Sequence, residues 1–175
     1  QTSRQDIRFI SGMPSWTLAL LARVLELTGA ERILDVWPHL RVFVHGGVKY
    51  QPFRARFGEL LTGDRGGDFD HRIELYPASE GFIAMQDTAG DSALRLNTDL
   101  GNFFEFVPLE ALDQSGQIAP DAPALDVGTV EPGTRCCVVI SSCAGLWRYN
   151  IGDVVEFEDV PDGPARTGTG PARLR

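Results

Sequence analysis

The stretch Tyr76-Pro77-Ala78-Ser79-Glu80-Gly81 brings an aromatic ring, a hydroxyl and a carboxylate close together in the chain. A ring stacks on a base, a hydroxyl bonds a phosphate oxygen, and a carboxylate suits Mg²⁺, which takes hard oxygen ligands. Two further stretches carry groups of similar use. Gly46-Gly47 follows an apolar run and permits close backbone approach to a ligand or to a neighbouring element. Trp147-Arg148-Tyr149-Asn150-Ile151-Gly152-Asp153 ends on an acid able to accept two hydrogen bonds from a ribose diol. Each stretch also has an ordinary reading. Pro77 and Gly81 set a bend whose Ser79 caps an amide, and Gly152-Asp153 is hairpin turn chemistry.

The flanking residues supply the elements that must hold these groups. Arg72-Ile73-Glu74-Leu75 alternates in polarity and Phe82-Ile83-Ala84-Met85 is a short apolar run, so the first stretch reads as a turn between two strands. Pro14 fits the first turn of a helix, whose apolar face is read as Trp16, Leu20, Leu21, Val24 and Leu25, with Gly29 as its stop. A shorter helix is expected over 31–35, and Leu40-Arg41-Val42-Phe43-Val44 reads as a strand running into His45-Gly46-Gly47. Gln51-Pro52-Phe53 opens another helix with Phe53, Phe57, Leu60 and Leu61 on one face. Beyond residue 90 short strands dominate, expected over 93–96, 103–107, 135–141 and 154–157, with Asp153 at the head of the last. The fold class expected is therefore α/β: an α/β layered part over 1–90, a small antiparallel barrel-like part over 91–160, and a loop or linker over 161–175.

Composition limits the partners. The chain has 175 residues, 43% hydrophobic and 23% charged, which is ordinary globular stock able to bury a core. Acidic residues outnumber basic ones 24 to 16, for a net charge of −8, which disfavours a nucleic-acid partner. Three cysteines, two of them adjacent, form no disulfide framework and fit a reducing cytoplasm. His39, His45 and His71 match no zinc spacing and read as surface or packing residues. No apolar run spans a bilayer, so no membrane partner is expected. Lys49 is the only lysine, and richness in arginine, alanine and glycine points to a high-GC bacterial source. The first residue, Gln1, and the unpunctuated end at Arg175 lead to the expectation of a piece of a longer protein.

Four blocks, in order along the chain, resemble the plant auxin-responsive acyl-acid amido synthetases and their bacterial relatives, within the adenylate-forming superfamily of acyl-CoA synthetases and luciferases. Trp37-Pro38-His39-Leu40 is similar to the family's Trp-Pro-x-Leu, and Tyr76 to Gly81 to its Tyr-Gly-x-Ser-Glu-Gly. Phe103-Phe104-Glu105-Phe106-Val107-Pro108 resembles its aromatic-Phe-Glu-Phe-x-Pro strand. Cys143 to Val155 resembles its Tyr-Ala-Gly-Leu-Tyr-Arg-Tyr-Arg-x-Gly-Asp-Val-Val. The chain departs from the pattern at Pro77, which removes an amide donor, and at Cys143, Trp147 and Asn150.

The resemblance implies an ATP- and Mg²⁺-dependent enzyme that activates a small carboxylic acid as acyl-AMP and passes it to an amine such as an amino acid. It implies that Tyr76 stacks on adenine, Ser79 meets the phosphates, Glu80 holds Mg²⁺ and Asp153 holds the ribose, with Gly46 and Gly47 approaching the adenine and acyl groups. The family's phosphate loop would lie upstream of Gln1 and its catalytic lysine downstream of Arg175, so no catalytic residue falls within these residues and the chain alone is expected to be inactive. Two alternatives stand beside this reading: a ligase with a thiol acceptor of the acyl-CoA type, and a non-catalytic nucleotide-binding or structural module of the same fold.

Overall fold

A computed structural model describes residues 2–69, 71–159 and 172–174. It divides the chain into two compact units, one formed by Gln1–Tyr76 with Gln86–Asp91 and the other by Pro77–Met85 with Ser92–Arg175.

The first unit packs helices on a parallel sheet. Strand β1 (Phe9–Ser11) leads into helix α1 (Pro14–Thr28), the short helix α2 (Ile33–Val36), strand β2 (Val42–Gly46), helix α3 (Arg54–Thr62) and strand β3 (Arg72–Ala78). Pro14 starts α1 where no amide donor is needed, and Gly29 ends it in the left-handed conformation at φ 70°, its N–H donated to Leu25 O. β1 pairs with β2, and β2 with β3, all parallel, with Phe43 opposite Arg72 and Gly46 opposite Leu75. A parallel sheet needs apolar cover, and the core supplies it with Leu21, Val24, Ile33, Trp37, Leu40, Phe43, Phe57 and Leu61, all buried.

The second unit is an antiparallel sheet. Its strands are β4 (Gly81–Met85), β5 (Leu94–Leu96), β6 (Asn102–Pro108), β7 (Arg135–Ser142), β8 (Tyr149–Asp159) and β9 (Arg173–Leu174), in the spatial order β4-β5-β9-β8-β7-β6. Along β6 and β7, Phe104 faces Ile140 and Phe106 faces Val138, and all four are buried. Phe106 also meets Phe157 of β8 edge-on, with ring centroids 4.7 Å apart. On β6, Phe104 and Phe106 have the more exposed Phe103 and Glu105 beside them, whereas β7 is buried continuously from Cys136 to Ile140, as a strand covered on both faces is.

Three expectations are corrected. The buried face of α1 is Pro14, Thr17, Leu21 and Val24, while Trp16 is 74% exposed and Leu20 53% exposed. The helix is apolar over more of its circumference than its own unit covers, so hydrophobicity alone did not show which flank packs. Strand β8 begins at Tyr149, so Asp153 lies within it and not at its head. Part of the tail expected as a loop forms β9, because Leu174 is buried opposite Phe157 and Leu94; the loop expected over 161–171 lies outside the described residues.

The core of the first unit gives a direct test. Phe57 is fully buried, with its ring centroid 4.9 Å from that of Phe43 and 5.2 Å from that of Tyr50. Phe57→Ala should lower stability by about 3–5 kcal/mol. Leu27→Ala, at an exposed position, should change it by no more than about 0.5 kcal/mol. Urea denaturation of the two variants checks both figures.

Candidate functional site

Gly46 ends β2 and Gly47 follows at φ 83°, a conformation that glycine adopts without strain. A Cβ at Gly47 would stand 3.3 Å from Met13 Cγ, so here the backbone closes on a neighbouring side chain just before α1. Tyr76 lies half-buried on β3, the last residue of the first unit in that stretch.

Behind these residues sits a cluster that the sequence reading missed. The Asp68 carboxylate accepts hydrogen bonds from Tyr50 Oη at 3.0 Å, Arg54 Nε at 3.0 Å, Arg72 Nε at 3.3 Å and the Phe69 N–H at 2.8 Å. Burial alone would raise this carboxyl. The bonds from Phe69 and Tyr50, with Arg72 beside it, outweigh burial and hold it below the usual carboxylate range. Arg72 lies 4.5 Å from the centroid of the Tyr50 ring, and burial beside Asp68 pushes the Tyr50 hydroxyl well up. His45 stacks on the other aromatics of this cluster, 4.9 Å from Tyr50 and 5.1 Å from Phe43. It is 2% exposed, and neither ring nitrogen has a hydrogen-bond partner. Desolvation, helped by the Arg72 charge, lowers its pKa to about 4, so the imidazole is neutral near pH 7. Asp68 sits in a stretch whose glycines and aspartates read as an exposed loop, so nothing local marked it as a hub.

Ser79 and Glu80 form the turn between β3 and β4, Ser79 exposed and Glu80 half-buried. Gly81 follows because space is short: a Cβ there would stand 2.9 Å from Asn102 Nδ2 and 3.1 Å from Ile140 Cδ1. The turn is thereby seated on β6 and β7. The same Ile140 pairs across β7 with Tyr149 of β8, the strand that carries Asp153. Within the second unit, the Ser79–Glu80 turn and the Asp153 strand thus share a common support.

Asp153 is exposed and follows Gly152, whose φ is 90° and whose N–H is donated to Asn150 Oδ1 at 2.9 Å. Upstream, Arg148 is the one non-glycine residue with positive φ among the described residues, at 45°, a conformation costing roughly 1–2 kcal/mol. Two contacts hold it: its N–H is donated to Ser141 Oγ at 2.9 Å and its Nε to Glu105 Oε2 at 3.0 Å. Glu105 is separated from Arg148 by most of two strands and a long connection, so no sequence spacing pairs them.

Glu80 bears on the metal expectation. Among the described residues no group of three His, Cys, Asp or Glu side chains could hold a metal ion. A single half-buried carboxylate on a turn fits the usual mode of Mg²⁺, which binds one or two carboxylates together with substrate phosphates and water. It does not fit an all-protein cage. The buried pair Cys136 and Cys137 offers no nucleophile to such a site: burial pushes Cys136 up to about 11 and raises Cys137 as well.

The fold defines a class: its mixed α/β sheets are similar to those in the large domains of adenylate-forming enzymes. The protein of known structure described as AtGH3.15 acyl acid amido synthetase in complex with 2,4-DB superposes with a TM-score of 0.60 at 16% identity, covering 89% of this chain and 24% of its own. An open conformation of 2-hydroxyisobutyryl-CoA ligase with 2-HIB-AMP and CoA gives a TM-score of 0.58 at 13% identity, over 96% of this chain and 34% of its own. At the level of family, residues 96–164 match the GH3 family central domain. Indole-3-acetic acid-amido synthetase GH3.8 from Oryza sativa subsp. indica is 30% identical over 153 residues, 82% of this chain and 24% of that protein. Probable indole-3-acetic acid-amido synthetase GH3.6 from Oryza sativa subsp. japonica is 39% identical over 55 residues, 31% of this chain and 11% of that protein. The chain is similar to the GH3 acyl-acid amido synthetases, and it spans about a quarter or less of the two rice proteins.

The buried imidazole makes stability depend on pH. An unfolded His45 takes up a proton below about pH 6.5, whereas the folded one stays neutral down to about pH 4. Stability should therefore fall as pH drops through that interval, by at most about 1.4 kcal/mol per pH unit from this residue. His45→Phe keeps the ring stack and cannot titrate. Urea midpoints at pH 7 and pH 5 should differ less in this variant than in the parent; equal differences would mean that His45 titrates alike in both states.

Proposed function

We propose that this chain forms the adenosine- and metal-holding part of an ATP-dependent ligase that activates a small carboxylic acid as its acyl adenylate and transfers the acyl group to an amine, such as an amino acid. The observation that carries this reading is the second unit's arrangement, in which Gly81 seats the Ser79–Glu80 turn on the strand that pairs with the Asp153 strand. A likeness to acyl-acid amido synthetases over most of the chain supports the amine acceptor.

Each residue has a role suited to its chemistry. Tyr76 offers a π-face to adenine, and Ser79 offers an exposed hydroxyl to the phosphate oxygens. Asp153 accepts hydrogen bonds from the ribose hydroxyls. Gly46 and Gly47 keep side chains away from the adenine and acyl groups. Glu80 holds Mg²⁺, which when bound offsets charge on the α-phosphate. The lysine that neutralises the transferring group belongs to another part of the polypeptide, because Lys49 is an exposed residue just after the glycine pair. Three unpaired cysteines support a reducing cytoplasm, and arginine-rich, lysine-poor composition supports a bacterial source. No described helix is long and apolar enough to cross a membrane.

ATP–pyrophosphate exchange in the full-length protein tests the reading. Asp153→Ala should weaken ATP binding about 10- to 100-fold, the loss expected for hydrogen bonds to a charged group. Glu80→Gln should raise the Mg²⁺ concentration needed for half-maximal rate. The isolated chain should give no exchange. An unchanged Mg²⁺ requirement in Glu80→Gln removes the metal role, and exchange by the isolated chain removes the partition of the site.

A further inference from the structure

Strand β8 pairs with β7 in two registers. Cys137 faces Val154 while Val139 faces Asn150, so a two-residue advance on β7 spans four residues on β8. The surplus is taken up by Ile151, Gly152 and Asp153 as a bulge. Were the pairing at Cys137 and Val154 continued without a shift, Asp153 would enter the ladder opposite Val138; the observed two-residue offset takes it out of the ladder while the rest of β8 keeps its face. Uninterrupted pairing is the ordinary preference of an antiparallel pair, so something must hold the shifted half.

Arg148 is placed to do so. It stands immediately before Tyr149, the first residue of β8, which pairs with Ile140. Its N–H is tied to Ser141 of β7 and its Nε to Glu105 of β6. Its φ of 45° would relax if those contacts were lost. The Glu105 side chain is only 17% exposed while that of Arg148 is 55% exposed, so the pair is anchored at its Glu105 end. The loop before it is closed by Ser142 N–H to Leu146 O and Gly145 N–H to Ser142 O.

We propose that Glu105 is a positioning residue: through Arg148 it locks β8 in the shifted register and so creates the bulge that presents Asp153. The proposal rests on the ribose-binding role given to Asp153, and the experiment separates the two. In the full-length protein, Glu105→Ala should weaken ATP binding at least 10-fold with kcat changed less than 3-fold. Glu105→Gln, which keeps an oxygen acceptor for Arg148 Nε, should recover most of the affinity. Because both residues act at one point, Glu105→Ala combined with Asp153→Ala should bind ATP no more weakly than Asp153→Ala alone. Hydrogen exchange of residues 148–153 should change in Glu105→Ala and revert in Glu105→Gln, independently of nucleotide.

Additive losses in the double variant, or unchanged exchange at 148–153, overturn the proposal. If Asp153→Ala leaves ATP affinity intact while Glu105→Ala changes both exchange and affinity, the ribose role falls and the register lock stands. Should Glu105→Ala not fold, Ser141→Ala, which removes the acceptor of the Arg148 N–H, is judged by the same outcomes.

Discussion

One carboxylate holds the first unit together. Asp68 gathers Tyr50 from the lead-in to α3, Arg54 from the first residue of α3 and Arg72 from the first residue of β3. A half-buried acid is stable in this position when its lone pairs are filled, and four donors fill them. Removing it would leave two guanidinium groups and a buried phenol without their acceptor, a loss of several kcal/mol for a partly buried charged network. Phe43, Phe57 and His45 pack against the same Tyr50 ring, so the polar hub and the aromatic core position one another. β3 sets out from this hub toward Tyr76, and β2 passes it on the way to Gly46. The residues given nucleotide roles in this unit depend on it without being part of it.

In the second unit the equivalent constraint is spatial. Gly81 is a glycine because β6 and β7 leave no room for a Cβ, whereas Gly47 and Gly152 are glycines because their φ is positive. The distinction has consequences for the site. At Gly81 an added side chain would lift the Ser79–Glu80 turn off its seat, moving hydroxyl and carboxylate together. At Gly152 it would strain the bulge and move Asp153 alone.

Much of this was legible in the sequence because local rules governed it. Pro14 and Gly29 bound α1 as their backbone preferences require, and Phe57, Leu60 and Leu61 all pack inward from α3. The motifs Tyr76 to Gly81 and Trp147 to Asp153 were visible as chemistry, and their order along the chain pointed to a family. What stayed hidden depends on contacts between distant residues. Trp16 and Leu20 are as apolar as Leu21 and Val24, and only packing separates exposed from buried. Asp68 reads as a loop acid until Tyr50, Arg54 and Arg72 surround it. The bulge at Ile151–Asp153 follows from a register offset, and register is a property of two strands that neither strand's composition contains.

Charge distribution bears on how such a chain would meet a nucleotide. The net charge is −8, yet arginines are plentiful. Many are already engaged: Arg8 with Asp6, Arg23 with Glu26, Arg32 with Asp35, Arg54 and Arg72 with Asp68, Arg56 and Arg65 with Glu59, and Arg148 with Glu105. The exposed pairs among them add little stability, roughly 0–1 kcal/mol each, but they do cancel positive field that would otherwise attract a polyphosphate. Under the proposed function, an acidic chain so neutralised would recognise adenosine by shape, stacking and hydrogen bonds, and would rely on a metal and on positive charge from elsewhere for the phosphates. On the proposed reading that division is the physical reason the site is shared across the longer polypeptide: these residues select the nucleoside, and the groups that stabilise charge in transfer are supplied from outside them.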